Sequence, residues 1–372
     1  MKAVIAIDSF KGSLSSVEAG RAAAEGIRRV FPEAECAVRP LADGGEGTVD
    51  ALVAGMGGEF AEVEVTGPAG RATRARYGLV GDMAVMEMSQ AAGITLVDGA
   101  EKNPLHTTTY GVGEMILDAV RKGALKFVIG IGGSATNDGG AGMLQALGWR
   151  LVDAEGAELP RGGGALARLA KILPPAAHPL PEGVSFRIAC DVTNPLCGPR
   201  GASAVFGPQK GATPEMVREL DAALAHFSVV SGGDPSSAGA GAAGGLGYAF
   251  KTFLGGELVP GVDLILGETG LEDYVRDADV VITGEGRLDG QTVMGKAPIG
   301  VARLAKRYGR KVIAFSGCVG DGVEAVNTAG IDAFFPILRK IVTLDEALAV
   351  ETAAANLSAT AEQAFRVIKE FS

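Results

Sequence analysis

Residues 127–142 read FVIGIGGSATNDGGAG, a short apolar run of mostly β-branched residues that breaks into a glycine-rich loop. The apolar run predicts a buried strand, and the glycines and small polar residues after it predict a loop that leads into a helix. The N–H groups at the start of such a helix bind phosphate oxygens when they have no other partner. The stretch therefore predicts a β–loop–α unit that forms a phosphate cradle.

The same order of strand, loop and helix occurs at both ends of the chain. Residues 2–8, KAVIAID, precede a helix whose start has capping-box spacing at Ser15 and Glu18. Residues 35–41, ECAVRPL, precede the acidic loop ADGGEGT and a second helix, and the alternation of strands and helices returns from Asp279 to the end. Alternating β and α segments predict a parallel sheet with ligand-binding loops at the carboxyl ends of its strands.

The middle of the chain has a different pattern. Residues 59–89 alternate between apolar and polar residues with period two, which predicts an antiparallel meander. Farther on, Thr213 and Pro214 are typical of a helix start. We therefore predict an α/β fold of two domains, in which a discontinuous parallel-sheet domain, 1–60 plus 278–372, is interrupted by an inserted mixed α/β domain, 61–277. A simple division into an N-terminal and a C-terminal domain is the alternative.

Composition excludes several classes of partner. The net charge is −10 and the pI is about 5.0, without a run of Lys or Arg, so nucleic acids and anionic membranes are not expected partners. The absence of a signal-peptide pattern and of an 18-residue apolar stretch predicts a cytoplasmic protein. The 4 cysteines and 3 histidines lack the spacing of a zinc site. Buried structural thiols are favoured over a catalytic Cys–His pair.

Four more acidic or glycine-rich clusters each follow a predicted strand. They are DSFKG at 8–12, DGGEGT at 43–48, DVTNP at 191–195 and TGEGRLDGQT at 283–292. Carboxylates beside glycines suit Mg²⁺ binding or hydrogen bonding to hydroxyls, and Lys11 and Arg287 supply the charge that a carboxylate or phosphate needs. Turn formation and helix capping explain any single cluster. The recurrence of such clusters favours a shared ligand site.

Two further stretches match nucleotide-binding motifs incompletely. Residues 290–297 match GxxxxGK but end in Ala297, so they lack the hydroxyl that binds Mg²⁺ in a P-loop, although Lys296 remains a candidate phosphate contact. Residues 239–244 match GxGxxG without a convincing strand before them. Neither stretch by itself predicts a nucleotide-binding fold.

Taken in order, six motifs resemble the type I glycerate kinase family, also called the glycerate 2-kinase family. They are DSFKGSLS, ADGGEGT, GIGGSATNDGGAG, DVTNPLCGPRGA, FGPQKGAT and TGEGRLDGQT. The resemblance covers essentially the whole chain and implies ATP-dependent phosphorylation of D-glycerate, most often at the 2-hydroxyl. It also implies a flavodoxin-like domain interrupted by a second domain, with ATP and Mg²⁺ as co-substrate and metal.

Site residues follow from combining the resemblance with the chemistry of phosphoryl transfer, which needs positioned cations and a carboxylate near the attacking hydroxyl. Asp191 is the predicted base, and Lys11 and Arg287 neutralise charge. The predicted glycerate ligands are Asp8, Lys11, Asp43, Glu46 and Arg287; the nucleotide ligands are Gly132, Gly133, Ser134, Asn137 and Lys210; the metal ligands are Glu285 and Asp289. With these roles, removal of Lys11 or Arg287 raises the KM for glycerate. Exchanging the glycerate and nucleotide loops fits the sequence equally.

Three other functions are compatible with the same residues. They are phosphorylation of the 3-hydroxyl, a nicotinamide-dependent hydroxy-acid dehydrogenase that uses the GxGxxG stretch, and a non-catalytic sugar-acid sensor. All of them predict small-molecule partners and leave the oligomeric state open.

Overall fold

The computed structural model describes residues 1–42, 47–177 and 179–371; the predicted ligands Asp43 and Glu46 lie outside them. Strands β1 to β13 are Lys2–Ile7, Glu35–Val38, Glu59–Thr66, Ala72–Val80, Met83–Glu87, Lys126–Gly130, Arg150–Val152, Lys171–Leu173, Ser185–Ala189, Glu257–Val259, Val280–Leu288, Lys311–Val319 and Ala333–Pro336. Helices α1 to α14 are Ser16–Val30, Thr48–Met56, Ser89–Ala92, Tyr110–Arg121, Ala141–Ala146, Ala202–Phe206, Pro214–Ser231, Leu246–Leu254, Gly261–Glu268, Leu271–Arg276, Ala297–Arg307, Ala325–Thr328, Leu344–Leu348 and Val350–Glu370.

The chain divides into two compact units. Unit 1 comprises Met1–Asp43, Asp50–Gly57 and Val262–Ser372, and unit 2 comprises Gly44–Val49 and Gly58–Gly261. Residues 262–277, which we assigned to the inserted domain from the sequence, therefore belong to unit 1. In that unit Val262 packs so closely on α11 that a Cβ on Gly300 would lie 2.1 Å from its Cγ1. The exact domain boundaries stay a prediction.

Unit 1 contains a five-stranded, fully parallel sheet in the order β13-β12-β11-β1-β2. Numbered along this unit alone, the strand order is 2-1-3-4-5, which is the flavodoxin-like order. Helices α1 and α14 contribute Ala23, Ile27, Leu357 and Phe365 to the core under this sheet. The predicted fold class, a flavodoxin-like parallel sheet together with a mixed α/β unit, is confirmed.

Unit 2 contains a six-stranded mixed sheet in the order β10-β9-β6-β5-β4-β3. Strands β5, β6, β9 and β10 are parallel, whereas β3 and β4 pair antiparallel and β4 pairs antiparallel with β5. The antiparallel meander predicted for 59–89 is therefore confirmed. Strands β7 and β8 form a separate antiparallel pair.

Local capping signals produce the expected helix starts. The Ser15 side chain accepts from the Glu18 N–H, and the Glu18 carboxylate accepts from the Ser15 N–H at 2.8 Å, which completes a capping box on α1. Thr213 caps α7 through the Met216 N–H, with Pro214 in the first turn. Both helix starts predicted from the sequence are confirmed.

Candidate functional site

The topological switch point of unit 1 lies between β1 and β11. The chain leaves β1 toward β2 on one side, while β11 leads toward β12 and β13 on the other side. In open α/β sheets, ligands bind outside the carboxyl ends of the strands at this point, because the connecting loops diverge and leave a crevice. Asp8 follows β1 directly, and its N–H donates to the Gly284 carbonyl of β11 at 2.9 Å. The predicted residues Asp8 and Glu285 thus belong to the switch point.

A tight turn after β1 presents Lys11. Phe10 and Leu14 pair as an isolated bridge, in which the Phe10 N–H donates to the Leu14 carbonyl at 2.8 Å. Gly12 completes the turn at a φ of +77°, a value that side-chain-bearing residues rarely adopt. Lys11 is exposed and has no hydrogen-bond or ion-pair partner among the described residues. Its ammonium is available for an anion.

Glu285 on β11 is a buried carboxylate with two polar partners. It accepts from the Thr292 hydroxyl at 2.7 Å, and its Oε2 lies 3.4 Å from Nζ of Lys296. Burial raises the pKa of Glu285, and the Thr292 hydroxyl and Lys296 ammonium oppose that rise. Lys296 precedes α11, so the incomplete GxxxxGK stretch does bring its lysine to the switch point.

Arg287 extends from the end of β11 toward solvent. Its Nε lies 3.4 Å from Oδ2 of Asp289, and its side chain is 63% exposed. A Cβ on Gly320 would lie 2.7 Å from the Arg287 guanidinium, so the glycine leaves room for this side chain just beyond the end of β12. The pairing with this single carboxylate leaves most guanidinium N–H groups able to bind an anion.

These groups line one cavity of 360 Å³ within unit 1. Its charged lining comes from Asp8, Lys11, Glu285, Arg287 and Lys296. Six apolar residues also line the cavity, and together they form what we call its apolar wall: Phe10, Ile337, Leu338, Leu344, Leu348 and Ala353. The cavity combines three cations with two carboxylates, and it therefore has local positive charge in a protein whose net charge is −10.

A second set of candidate groups lies in unit 2. Strands β5, β6 and β9 are adjacent and parallel, with Glu87 opposite Gly130 and Gly130 opposite Ala189. The glycine-rich loop after β6 and the DVTNP loop after β9 therefore start at the same edge of this sheet. Within the first loop, Gly132 and Gly133 are exposed, whereas Ser134 is buried.

The N-terminal N–H groups of α5 are already bound, which corrects the expectation of an open cradle there. The Asp138 carboxylate accepts from the N–H groups of Gly140 and Gly142 at 3.1 and 3.2 Å, and from Thr109 at 2.8 Å. The Met143 N–H donates to the Thr109 hydroxyl at 3.0 Å. A carboxylate inside the protein thus occupies the donors that a phosphate would use, and only the exposed glycines remain candidate donors.

Asn137 and Lys210 stabilise this loop through buried hydrogen bonds. The Asn137 amide donates to the Ser203 hydroxyl at 2.8 Å. The Lys210 Nζ donates to the Ser134 hydroxyl at 2.7 Å and to the Thr136 carbonyl at 2.6 Å. Both side chains are buried, so they support the loop's shape directly. Burial lowers the pKa of Lys210 to about 7, and the nearby Asp138 carboxylate opposes that shift.

This lowered pKa predicts a pH-dependent stability. Between pH 7 and 10.5 the folded chain holds fewer protons on Lys210 than the unfolded chain does, so the free energy of unfolding rises with pH. The expected slope is at most about 1.4 kcal/mol per pH unit. Denaturant titrations between pH 7 and 9 measure it. Lys210→Met should remove the slope, whereas Lys251→Met, which replaces an exposed lysine, should keep it; equal slopes would contradict the assignment.

Asp191 lies just beyond β9 and is exposed. Its Oδ1 accepts from the Gly261 N–H at 2.8 Å. This contact fixes the carboxylate at the same sheet edge where the glycine-rich loop begins. The predicted base and the exposed glycines Gly132 and Gly133 therefore belong to one unit, whereas Lys11 and Arg287 belong to the other.

Comparison with known proteins gives one consistent result. The model of the glycerate kinase family matches residues 3–369. The chain belongs to the glycerate kinase family. A glycerate kinase from Halalkalibacterium halodurans is 51% identical over 93% of each chain, and the glycerate 2-kinase of Escherichia coli K12 is 48% identical over 93% of each chain. The crystal structure of a candidate glycerate kinase 2 from Salmonella typhimurium LT2 superposes with a TM-score of 0.91 at 46% identity, covering 100% of this chain and 98% of that one.

Membership in the glycerate kinase family leaves the dehydrogenase alternative without support. The GxGxxG stretch forms a turn and a short 3-10 helix, Ala242–Gly245, after the end of α7, and no strand lies between α7 and this stretch. Among the described residues, no helix is both long and apolar enough to span a bilayer. The cysteines are free and only half-buried, and burial raises the thiol pKa of Cys36, Cys190 and Cys197, which disfavours the reactive thiolate.

Sequence reasoning missed two parts of these sites. Apart from Phe10, the apolar wall of the unit 1 cavity comes from residues 337–353, which contain none of the six motifs. The network around Asp138 was also missed. The run of three threonines at 107–109 was the sequence signal for it, since Thr109 donates to the Asp138 carboxylate through both its N–H and its hydroxyl.

Proposed function

We propose that this protein transfers the γ-phosphoryl group of ATP to the 2-hydroxyl of D-glycerate. The observation that carries the proposal is the match to the glycerate kinase family over residues 3–369. The relative named glycerate 2-kinase supports transfer to the 2-hydroxyl. The two sets of polar groups described above supply the cations, N–H donors and carboxylate that such a transfer needs.

Glycerate, the acceptor, is proposed to bind in unit 2. A base must lie within hydrogen-bond reach of the hydroxyl from which it takes the proton. Asp191 and the loop that contains Gly132, Gly133 and Ser134 begin at one edge of the same sheet. The exposed glycine N–H groups are suited to the carboxylate of glycerate, while Asn137 and Lys210 hold the loop that carries them. The alternative, predicted from the sequence, has glycerate on Asp8, Lys11, Asp43, Glu46 and Arg287.

The proposed reaction proceeds by attack of the glycerate oxygen on the γ-phosphorus. The bond between that phosphorus and the β,γ-bridging oxygen breaks, ADP leaves, and the hydroxyl proton moves to the Asp191 carboxylate. Lys11 and Arg287 stabilise the negative charge on the nucleotide phosphates. Asp191 also orients the hydroxyl. In a loose transition state, this orientation contributes more to the rate than removal of the proton does.

Mg²⁺ fits this arrangement with Glu285 and Asp289 as its proposed protein ligands. The described residues contain no group of three or more side chains able to ligate a metal. One or two carboxylates are nevertheless the usual protein contribution to Mg²⁺ in phosphoryl transfer, because water and phosphate oxygens complete the coordination. When bound, the ion would neutralise charge on the triphosphate. Lys296 and Arg287, which pair with these carboxylates here, can turn to phosphate oxygens instead.

An ADP-release assay with Mg-ATP and D-glycerate tests the proposal, with the product resolved by phosphorus NMR. We expect release that depends on glycerate and a single product, the 2-phosphate. A 3-phosphate product would overturn the regiochemistry alone. Release equal to the control without glycerate would overturn the kinase activity, and glycerate binding without turnover would then favour a sensor.

A further inference from the structure

The cavity of unit 1 is larger and less polar than glycerate requires. Its volume of 360 Å³ lies in the range of about 300–1,000 Å³ that is typical of pockets for drug-sized ligands. Glycerate is a three-carbon acid whose carbons carry oxygens, so it has no surface to bury against an apolar wall. Leu344, Leu348 and Ile337 would have no apolar part of glycerate to contact. The cavity therefore has room and chemistry for a ligand with both a flat apolar part and several negative charges.

We infer that the unit 1 cavity binds the nucleotide, with the purine base against the wall formed by Ile337, Leu344 and Leu348 and the phosphates against Lys11, Arg287 and Lys296. This inference rests on the proposed kinase function and names which unit receives ATP. Three observations support it: the position at the switch point between β1 and β11, the presence of both large apolar and cationic side chains in one lining, and the excess of cations over carboxylates.

The apolar wall has an exposed part, which is unusual without a ligand. Leu344 is 72% exposed and Leu338 is 43% exposed, and both line the cavity. Large apolar side chains clustered on a surface mark a binding site more often than a structural need. A purine stacked there would remove apolar surface from water on both partners. This gain is independent of the phosphate contacts, so the two can be tested separately.

Leu344→Asp tests the base contact without disturbing the fold. Residue 344 is the first residue of α13, where an added carboxylate is favourable to the helix, and its side chain is already mostly in water. Ile341→Asp is the matched control, because Ile341 is fully exposed on the same segment and does not line the cavity. Both variants add the same charge, so any difference between them reports the cavity wall.

The measurement is calorimetric titration of the full-length protein with ADP and, separately, with inorganic tripolyphosphate. We expect Leu344→Asp to weaken ADP binding about tenfold, because the base loses apolar contact and meets a carboxylate. Tripolyphosphate binding should be equal in the two variants, and the KM for glycerate should stay within about twofold of the unsubstituted protein. Ile341→Asp should bind ADP as the unsubstituted protein does.

Failure of the inference differs from failure of the proposed function. If ADP binds equally to Leu344→Asp and Ile341→Asp while the kinase is active, the nucleotide base lies elsewhere and the inference is overturned. A rise in the KM for glycerate in Leu344→Asp would mean that glycerate, and not the nucleotide, binds in the unit 1 cavity. If the unsubstituted protein phosphorylates no glycerate but the variants still differ in ADP binding, the nucleotide site is supported and the proposed reaction is overturned.

Discussion

Asp191→Asn is expected to lower kcat about 100-fold or more while changing the KM for either substrate little, since a general base contributes about 10²–10⁴-fold. Asparagine keeps an acceptor oxygen for the Gly261 N–H, which Asp191 binds at 2.8 Å, so the loop can keep its conformation. The amide cannot take the hydroxyl proton, however. Steady-state kinetics with glycerate and ATP varied separately measure the effect.

The control for this substitution is Asp234→Asn. Asp234 is an exposed carboxylate in the same unit, and it likewise accepts a loop N–H, from Ser236 at 2.9 Å. This control should retain normal kcat. An unchanged kcat in Asp191→Asn would remove Asp191 from the role of base. A loss of folded protein, detected by circular dichroism, would instead assign Asp191 a capping role at Gly261.

Much of the fold was predictable because its signals are local. The capping box at Ser15 and the Thr213–Pro214 helix start depend only on neighbouring residues. The meander at 59–89 follows from period-two alternation, which is clearest where β3 and β4 alternate between more and less exposed residues. The alternation of strands and helices at both ends of the chain indicated a parallel sheet, and the apolar runs of β1 and β11 are almost wholly buried in it.

The ligand groups were less predictable because their hydrogen-bond partners depend on how a loop folds or on residues distant in sequence. The glycine-rich loop after β6 suggested open N–H groups at α5, but the carboxylate that occupies them belongs to Asp138 within the same motif. Lys210 belongs to a different motif, and only the fold brings its Nζ to Ser134. No local pattern distinguishes an asparagine or lysine that contacts a ligand from one that supports a loop.

The cavity wall shows the same difficulty for apolar residues. Leu344 and Leu348 occur in a short helix whose sequence carries only a capping box, Thr343 to Glu346. A leucine in such a helix predicts packing against a core. The role of Leu344 becomes visible only when its exposure and its position beside the charged groups of β11 are known.

Lys11→Ala is expected to raise the KM for ATP about 10- to 100-fold, because a hydrogen bond to a charged group contributes about 1.5–3 kcal/mol. Lys11 lies at the exposed tip of a turn and has no partner among the described residues, so its removal leaves no buried group unpaired. The ionic strength should matter as well, since added salt screens an exposed ammonium. Steady-state kinetics at two salt concentrations provide the measurement.

Lys311→Ala is the matched control for Lys11→Ala. Lys311 is an exposed lysine at the first residue of β12, so it lies at the amino edge of the same parallel sheet, whereas Lys11 follows the carboxyl end of β1. Both substitutions remove one positive charge from unit 1, and only the first should change the KM for ATP. A rise in the KM for glycerate with Lys11→Ala would favour the original sequence-based assignment of this loop. Equal effects of the two substitutions would mean that overall charge attracts the anionic substrates, because ligand contacts act only at the carboxyl edge.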